Sequence, residues 1–341
     1  MQVTSRSELA AEALAEGRLA VLPTETVYGL GGRADDPAAV ARIYAVKGRP
    51  ADHPLIVHLA HAQVMSAWAR SLPEYARALG EAFWPGPLTL VLPRSERARD
   101  FVTGAQDSVA VRVPAHPVTS QVLMLLGDLV QDEAIGIAAP SANRFGQVSP
   151  TTAAHAREEI GDSLQEGDVI LDAGPCQVGL ESTIVDCTAD HPRLLRPGAI
   201  SAADIEQVTG LPVTHDSLIR ASGTLESHYA PRAIVEVIEA GQELTSIEAE
   251  GDSIGAQGDR GLSHDRPRTG LLALASVPTP RGMVRLSAPA HPQAYAHVLY
   301  AALREADALD LSRVLVVLPP SEGIGAAIHD RITRAARGRG R

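Results

Sequence analysis

Apolar residues along this chain fall into short continuous runs that alternate with runs spaced three and four apart. That pattern predicts strands interleaved with helices, an α/β protein. A helix is expected over residues 7–16, with Ser7 as its cap, Leu9, Ala13 and Leu14 as its apolar stripe and Gly17 as terminator, and a strand over 19–22. Residues 23–32 read as a polar cluster running into glycines that let backbone pass close to something. Asp36-Pro37 is a cap and first turn for a helix over 38–46, which ends at Lys47 with Gly48 as its stop and leaves the lysine exposed beside Arg49. Strands are expected over 54–59, 88–92, 108–113 and 135–139, with helices near 64–68, 74–83 and 118–126. In the 108–113 strand the alternation turns Val109, Val111 and Val113 to the core and Arg112 to a cleft. A helix after Thr151 and strands over 169–172 and 182–186 complete a unit that Arg196-Pro197-Gly198 closes.

Periodicity then fades. Residues 211–232 read as an ordered linker, with Tyr229 too large and amphipathic for a spacer. Beyond it, strands over 234–238, 271–275 and 314–318 alternate with helices near 293–306 and 325–336, the rhythm of a small Rossmann-like three-layer α/β unit. Residues 241–269 read as loop and 337–341 as a frayed end. The expected division is therefore 1–210, a linker or lid over 211–232, and 233–341.

Composition sharpens this picture at two positions. Of 30 basic residues, Lys47 is the one lysine, and Asn143 is the one asparagine. In a chain that has replaced both residue types elsewhere, each marks a place where a compact ammonium or a short amide has no substitute. The net charge of -11 argues against a protein built mainly to grip a nucleic-acid backbone, so no stable nucleic-acid binding is expected. No apolar run is long enough to span a membrane and no secretory leader pattern opens the sequence, which implies a cytoplasmic protein. Cys176 and Cys187 are too few for a disulfide framework and lack zinc-site spacing, so both are expected as reduced thiols.

Standard nucleotide signatures fail. Val46 precedes the lone lysine where a Walker loop needs glycine, and Gly29-Leu30-Gly31 with Ala34 is a degenerate dinucleotide fingerprint whose helix starts late. What remains is a set of polar residues at strand ends and turns: Thr24, Glu25, Thr26, Lys47, Arg49, His58, Arg112, Ser141, Asn143, Ser149, Ser182 and Arg196. Ligands of α/β folds sit outside strand ends, so these side chains can line one cavity. Lys47, Arg49 and Arg196 suit a polyphosphate, Ser141 and Asn143 suit its oxygens as neutral donors, and Arg112 suits a carboxylate held bidentately. Singly, each has a plain alternative: a surface ion pair for Arg49 or Arg196, a satisfied core histidine for His58, a strand-edge hydroxyl for Ser182.

The segments PTETVYGLGG, KGRPADHPLIVH, FWPGPLTLVL, SVAVRVP, APSANRFGQVSPT and ESTIVD, in this order, resemble the YrdC-like domain of threonylcarbamoyl-adenylate synthases. SGTLESHYAPR and LPPSEGIGAAIHDRITRAA resemble the linker and second domain of the two-domain form. The resemblance implies a YrdC-like twisted mixed sheet with helices, and a reaction in which L-threonine, bicarbonate and ATP give threonylcarbamoyl-adenylate and pyrophosphate. The product would serve the tRNA threonylcarbamoyl transfer machinery, and Mg2+ would accompany ATP. It also implies that Lys47, Arg49, Ser141 and Asn143 form the KxR and SxN signature at the ATP phosphates. His53, Ser108, Ser149, Arg196 and Tyr229 would also face ATP; Thr26, His58, Arg112, Ser182 and the backbone of Ala139 would hold threonine. His53 stands where relatives often carry asparagine, and Ser227 precedes His228-Tyr229 where arginine is frequent. Two other functions share the fold: an RNA-binding module, which the acidic balance disfavours, and a carbamoyltransferase, whose zinc-finger cysteine pairs this chain lacks.

Overall fold

The computed structural model describes residues 1–223, 229–238 and 269–338. Its larger unit is a ten-stranded mixed sheet. The strands are β1 (Gln2–Thr4), β2 (Ala20–Leu22), β3 (Gly29–Arg33), β4 (Ile56–His58), β5 (Leu88–Pro93), β6 (Ser108–Arg112), β7 (Ile137–Ala138), β8 (Val169–Leu171), β9 (Thr183–Asp186) and β10 (Arg193–Arg196). They run in the spatial order β1-β8-β2-β3-β7-β4-β6-β5-β9-β10. Parallel pairs such as β4 with β6 sit beside antiparallel ones such as β5 with β6. Val109, Val111 and Val113 enter the core as the alternation predicts.

The helices of this unit are α1 (Ser7–Ala15), α2 (Pro37–Lys47), α3 (Met65–Trp68), α4 (Glu74–Phe83), α5 (Asp100–Thr103), α6 (Pro117–Val130), α7 (Ala153–Ile160) and α8 (Ala202–Thr209). The expected cap of α1 is corrected: Arg6 holds the N-cap position without a side-chain bond. Ser7 is already helical, and its hydroxyl donates to Gln121 instead. In α2 the capping chemistry follows the sequence. Asp36 accepts from the backbone of Ala38 and Ala39, and Gly48 closes the helix at φ +61°, a left-handed conformation that glycine adopts without penalty. A cap of this kind contributes about 1 kcal/mol, and here it fixes where the last helical residue, Lys47, arrives.

The glycines after Tyr28 form β3, a strand the apolar pattern does not mark. What they admit is core side chains. A Cβ on Gly31 would lie 2.9 Å from Ile137 Cγ2 and 3.0 Å from the Ala20 carbonyl, and one on Gly32 would lie 3.1 Å from both Ile43 and Leu19.

The smaller unit is a parallel sheet in the order β11-β14-β12-β13, made of β11 (Ile234–Ile238), β12 (Thr269–Leu272), β13 (Val284–Ser287) and β14 (Arg313–Val317). Helices α9 (Pro292–Ala308) and α10 (Gly325–Ala336) pack on the face that carries Leu272, Val314 and Val316. The three-layer reading and the expected loop both extend into residues 239–268, which lie outside the described ones, as do 224–228 of the linker and 339–341 of the tail. Thr269, expected as loop, opens β12. Among the described residues no helix is long and apolar enough to cross a membrane.

Candidate active site

A cleft of about 530 Å³ opens where β3, β4, β6 and β9 end, lined by Thr24, Thr26, Val27, Gly29, Arg49, Ile56, His58, Arg112, Ala139, Pro140, Ser141, Glu181, Ser182, Arg196, Ser222, Gly223 and Tyr229. Thr26, Arg49, His58, Arg112, Ala139, Ser141, Ser182, Arg196 and Tyr229, distant in the chain, thus meet at one place.

Lys47 departs from expectation. It is buried, 3% exposed, because its stem turns under the loop after β7. There Nζ donates to the carbonyls of Ser141 at 2.5 Å and Asn143 at 2.6 Å. The ammonium therefore lies behind Ser141 and outside the cleft lining. Burial, reinforced by the Arg49 charge, holds its pKa well below the ordinary lysine value. Asn143 directs Nδ2 to the carbonyls of Arg144 and Gln147, both at 2.8 Å, while its Oδ1 is buried without a hydrogen-bond partner among the described residues.

Arg49 donates Nη2 to the Pro54 carbonyl at 2.9 Å and to Ser222 Oγ at 3.1 Å, and its Nε is buried without a hydrogen-bond partner among the described residues. Burial lowers this guanidinium to about 10. Arg196 grips the Ser182 carbonyl through Nε at 3.0 Å and Nη2 at 2.9 Å, and gives Nη1 to the Ser222 carbonyl at 2.8 Å. Among the described residues, Lys47, Arg49 and Arg196 have no carboxylate partner. Each rests on neutral oxygens.

Arg112 is different. It faces the cleft as expected, but its Nη2 lies 2.6 Å from Glu25 Oε1, and its Nη1 donates to Thr26 Oγ1 at 2.9 Å. His58 lies beside it. Burial first, and then the Arg112 charge, push the imidazole down to about 3, so it is neutral at physiological pH.

Besides Lys47 and Asn143, three more candidates stand outside the cleft lining. Ser149 is fully buried and donates to Glu181 Oε1 at 2.6 Å. Ser108 lines a neighbouring cavity of about 270 Å³ beneath Ala221, and the His53 ring packs edge-on against Phe145 at 5.4 Å. Tyr229, from the linker, lines the cleft at 1% exposure and stacks on Tyr300 at 5.6 Å. Ser227 and His228 fall outside the described residues. Cys176 and Cys187 are free and buried, and burial raises Cys176 to about 12, which leaves it unreactive.

Glu181 is the residue that sequence reasoning passed over. It lines the cleft, yet its carboxylate accepts from Tyr300 and Arg331 of the smaller unit, each at 2.8 Å. Its only sequence signal was adjacency to Ser182, because its partners lie 119 and 150 residues away.

A mixed sheet whose strand ends gather neutral donors, one paired arginine and cations without carboxylate partners among the described residues defines an α/β protein of the YrdC-like class. Residues 12–198 match the Sua5, YciO and YrdC family, described as telomere recombination, and residues 200–337 match the threonylcarbamoyl-AMP synthase C-terminal domain. Threonylcarbamoyl-AMP synthases of Pyrococcus abyssi and Bacillus subtilis are each 36% identical to this chain, over 96% and 97% of it and 93% and 92% of their own lengths. A crystal structure of Pyrococcus abyssi Sua5 complexed with L-threonine superposes with a TM-score of 0.81 at 35% identity, covering 99% of this chain and 98% of that one. The chain belongs to the threonylcarbamoyl-AMP synthase family, and it is a transferase.

Proposed function

We propose that the cleft joins L-threonine, bicarbonate and ATP into threonylcarbamoyl-AMP and pyrophosphate. The product would feed a separate machinery that modifies tRNA in the cytoplasm. The observation that carries this reading is that Arg49 and Arg196, buried cations without carboxylate partners among the described residues, line one cavity, with Lys47 bonded to the Ser141 carbonyl behind it. Burying an unpaired charge costs several kcal/mol, and a polyphosphate is the substrate that offsets such a cost at more than one cation.

In this reading the triphosphate lies over Arg49, Arg196 and the Ser141 to Asn143 loop, with Lys47 beneath it and Tyr229 closing the side. Ser108, Ser149 and His53 contribute from the surrounding shell. Threonine takes the other end. Its carboxylate meets the Arg112 guanidinium with Thr26 and Ser182 alongside, and neutral His58 and the backbone of Ala139 present hydrogen-bonding groups to the rest. The complex of the 35% identical Pyrococcus abyssi protein with L-threonine supports this half.

Chemistry then requires no protein nucleophile. The threonine amine condenses with bicarbonate, losing water, and one carbamate oxygen attacks the α-phosphorus as its bond to the bridging oxygen breaks and pyrophosphate leaves. The cations stabilise the charge that accumulates on that leaving group, and a covered cleft keeps water from a hydrolysable product.

Mg2+ finds no dedicated protein ligand set. Among the described residues no group of three or more His, Cys, Asp or Glu converges, and the cleft carboxylates Glu25 and Glu181 are already engaged by arginines. The ion would ride on phosphate and water oxygens. Pyrophosphate release tests the proposal: it should require ATP, threonine and bicarbonate together. Release that is indifferent to threonine would overturn it.

A further inference from the structure

Glu181 poses a problem for the cleft it lines. A buried carboxylate beside Arg196 is the natural partner of that guanidinium, and such a pair would cancel charge needed for a triphosphate. In the structure the two are not paired. The smaller unit holds Glu181 through Oε2, which accepts from Arg331 Nε and from the Tyr300 hydroxyl, each at 2.8 Å, while Oε1 accepts from Ser149 of the larger unit at 2.6 Å. Arg331 is fully buried. Its Nη2 donates to the Pro197 carbonyl at 3.0 Å, directly after Arg196 in the chain, its Nη1 meets neighbouring Asp330, and its guanidinium lies 5.3 Å over the Tyr229 ring.

We propose that Arg331 is a positioning residue for a cleft it does not line: it draws the Glu181 carboxylate away from Arg196, leaving Arg196 without a carboxylate partner and free to hold the triphosphate. This rests on the polyphosphate reading above. Burial alone would raise the Glu181 carboxyl, but Arg331 and then Arg196 bring it down to about 2, so it is ionised and a real competitor for Arg196. The smaller unit thereby acts on the reaction through charge placement, without touching substrate.

The test is calorimetric binding of a non-hydrolysable ATP analogue to the full chain, with circular dichroism confirming the fold. Arg331→Met should weaken binding about tenfold or more, the scale of losing one buried charge pair. Removing the competitor as well, in Glu181→Gln/Arg331→Met, should bring most of that affinity back. A merely structural role for Arg331 gives no such rescue, so a double variant as weak as the single one overturns the proposal, as does a single variant that binds normally. Should Arg331→Met fail to fold, Glu181→Gln is compared with the double variant. With no carboxylate to draw away the two should bind alike, and a further tenfold loss in the double overturns the proposal. Wild-type protein that binds no analogue sinks the polyphosphate reading itself.

Discussion

At the scale of single residues, the account turns on charges placed where water cannot reach them. Lys47 bridges two carbonyls of the 141–143 loop from beneath, so its loss should have two effects that an exposed lysine would not combine. Lys47→Met should abolish adenylate formation and also lower unfolding stability by about 1–3 kcal/mol, because two buried acceptors lose their donor. Saturating ATP should raise the melting temperature of wild type and not of the variant. An inactive variant of unchanged stability would contradict the burial. His58 gives a pH signature. Its folded pKa of about 3 lies below the ordinary 6.5, so as pH falls through that window the unfolded chain takes up a proton that the folded chain refuses. Stability therefore falls with acid, by about 1.4 kcal/mol per pH unit from this group. Denaturant titrations between about pH 7 and 5 should show His58→Asn losing less stability than wild type; equal losses would place a solvated histidine there. The composition made Lys47 and Asn143 visible, since each is the sole residue of its type. Burial of the lysine was not visible, because a charge at a helix end is ordinarily solvated and only the returning 141–143 loop covers this one.

At the scale of elements, apolar runs such as β5 and β14 were legible because a strand buried on both faces has nothing else to write, and β6 was legible from its alternation. The same logic hides β3. Its residues Gly29 to Gly32 are chosen for lack of side chain, so the strand carries almost no apolar signal while sitting between β2 and β7 in the middle of the sheet. Short edge strands such as β1 and β10 are equally mute, being three and four residues long. Gly31→Ala should destabilise the fold by about 1–3 kcal/mol through overpacking, because its Cβ would meet Ile137 and Ala20 at 2.9 Å and 3.0 Å. Steady-state KM values for ATP and threonine should change little. Intact stability with lost substrate affinity would mean instead that the glycine faces the ligand.

At the scale of the whole molecule, the units meet along α9 and α10 on one side and the 148–181 segment on the other. Arg304 pairs with Glu159 at 3.2 Å, His297 meets the Gln177 carbonyl at 3.1 Å, and a Cβ on Gly179 would lie 2.7 Å from His297 Cα. These contacts join residues more than a hundred positions apart, which is why the sequence, rich in cues for each unit, contained none for their joint wall at Glu181. That wall stands behind the cleft that the larger unit and Tyr229 line, the cleft proposed above to take ATP. Isotopically labelled bicarbonate examines that assignment most directly: the protein is incubated with ATP, threonine and the label, and the nucleotide product is weighed by mass spectrometry. The account predicts threonylcarbamoyl-AMP carrying the labelled carbon, in step with pyrophosphate. Pyrophosphate accompanied only by unlabelled AMP would contradict it.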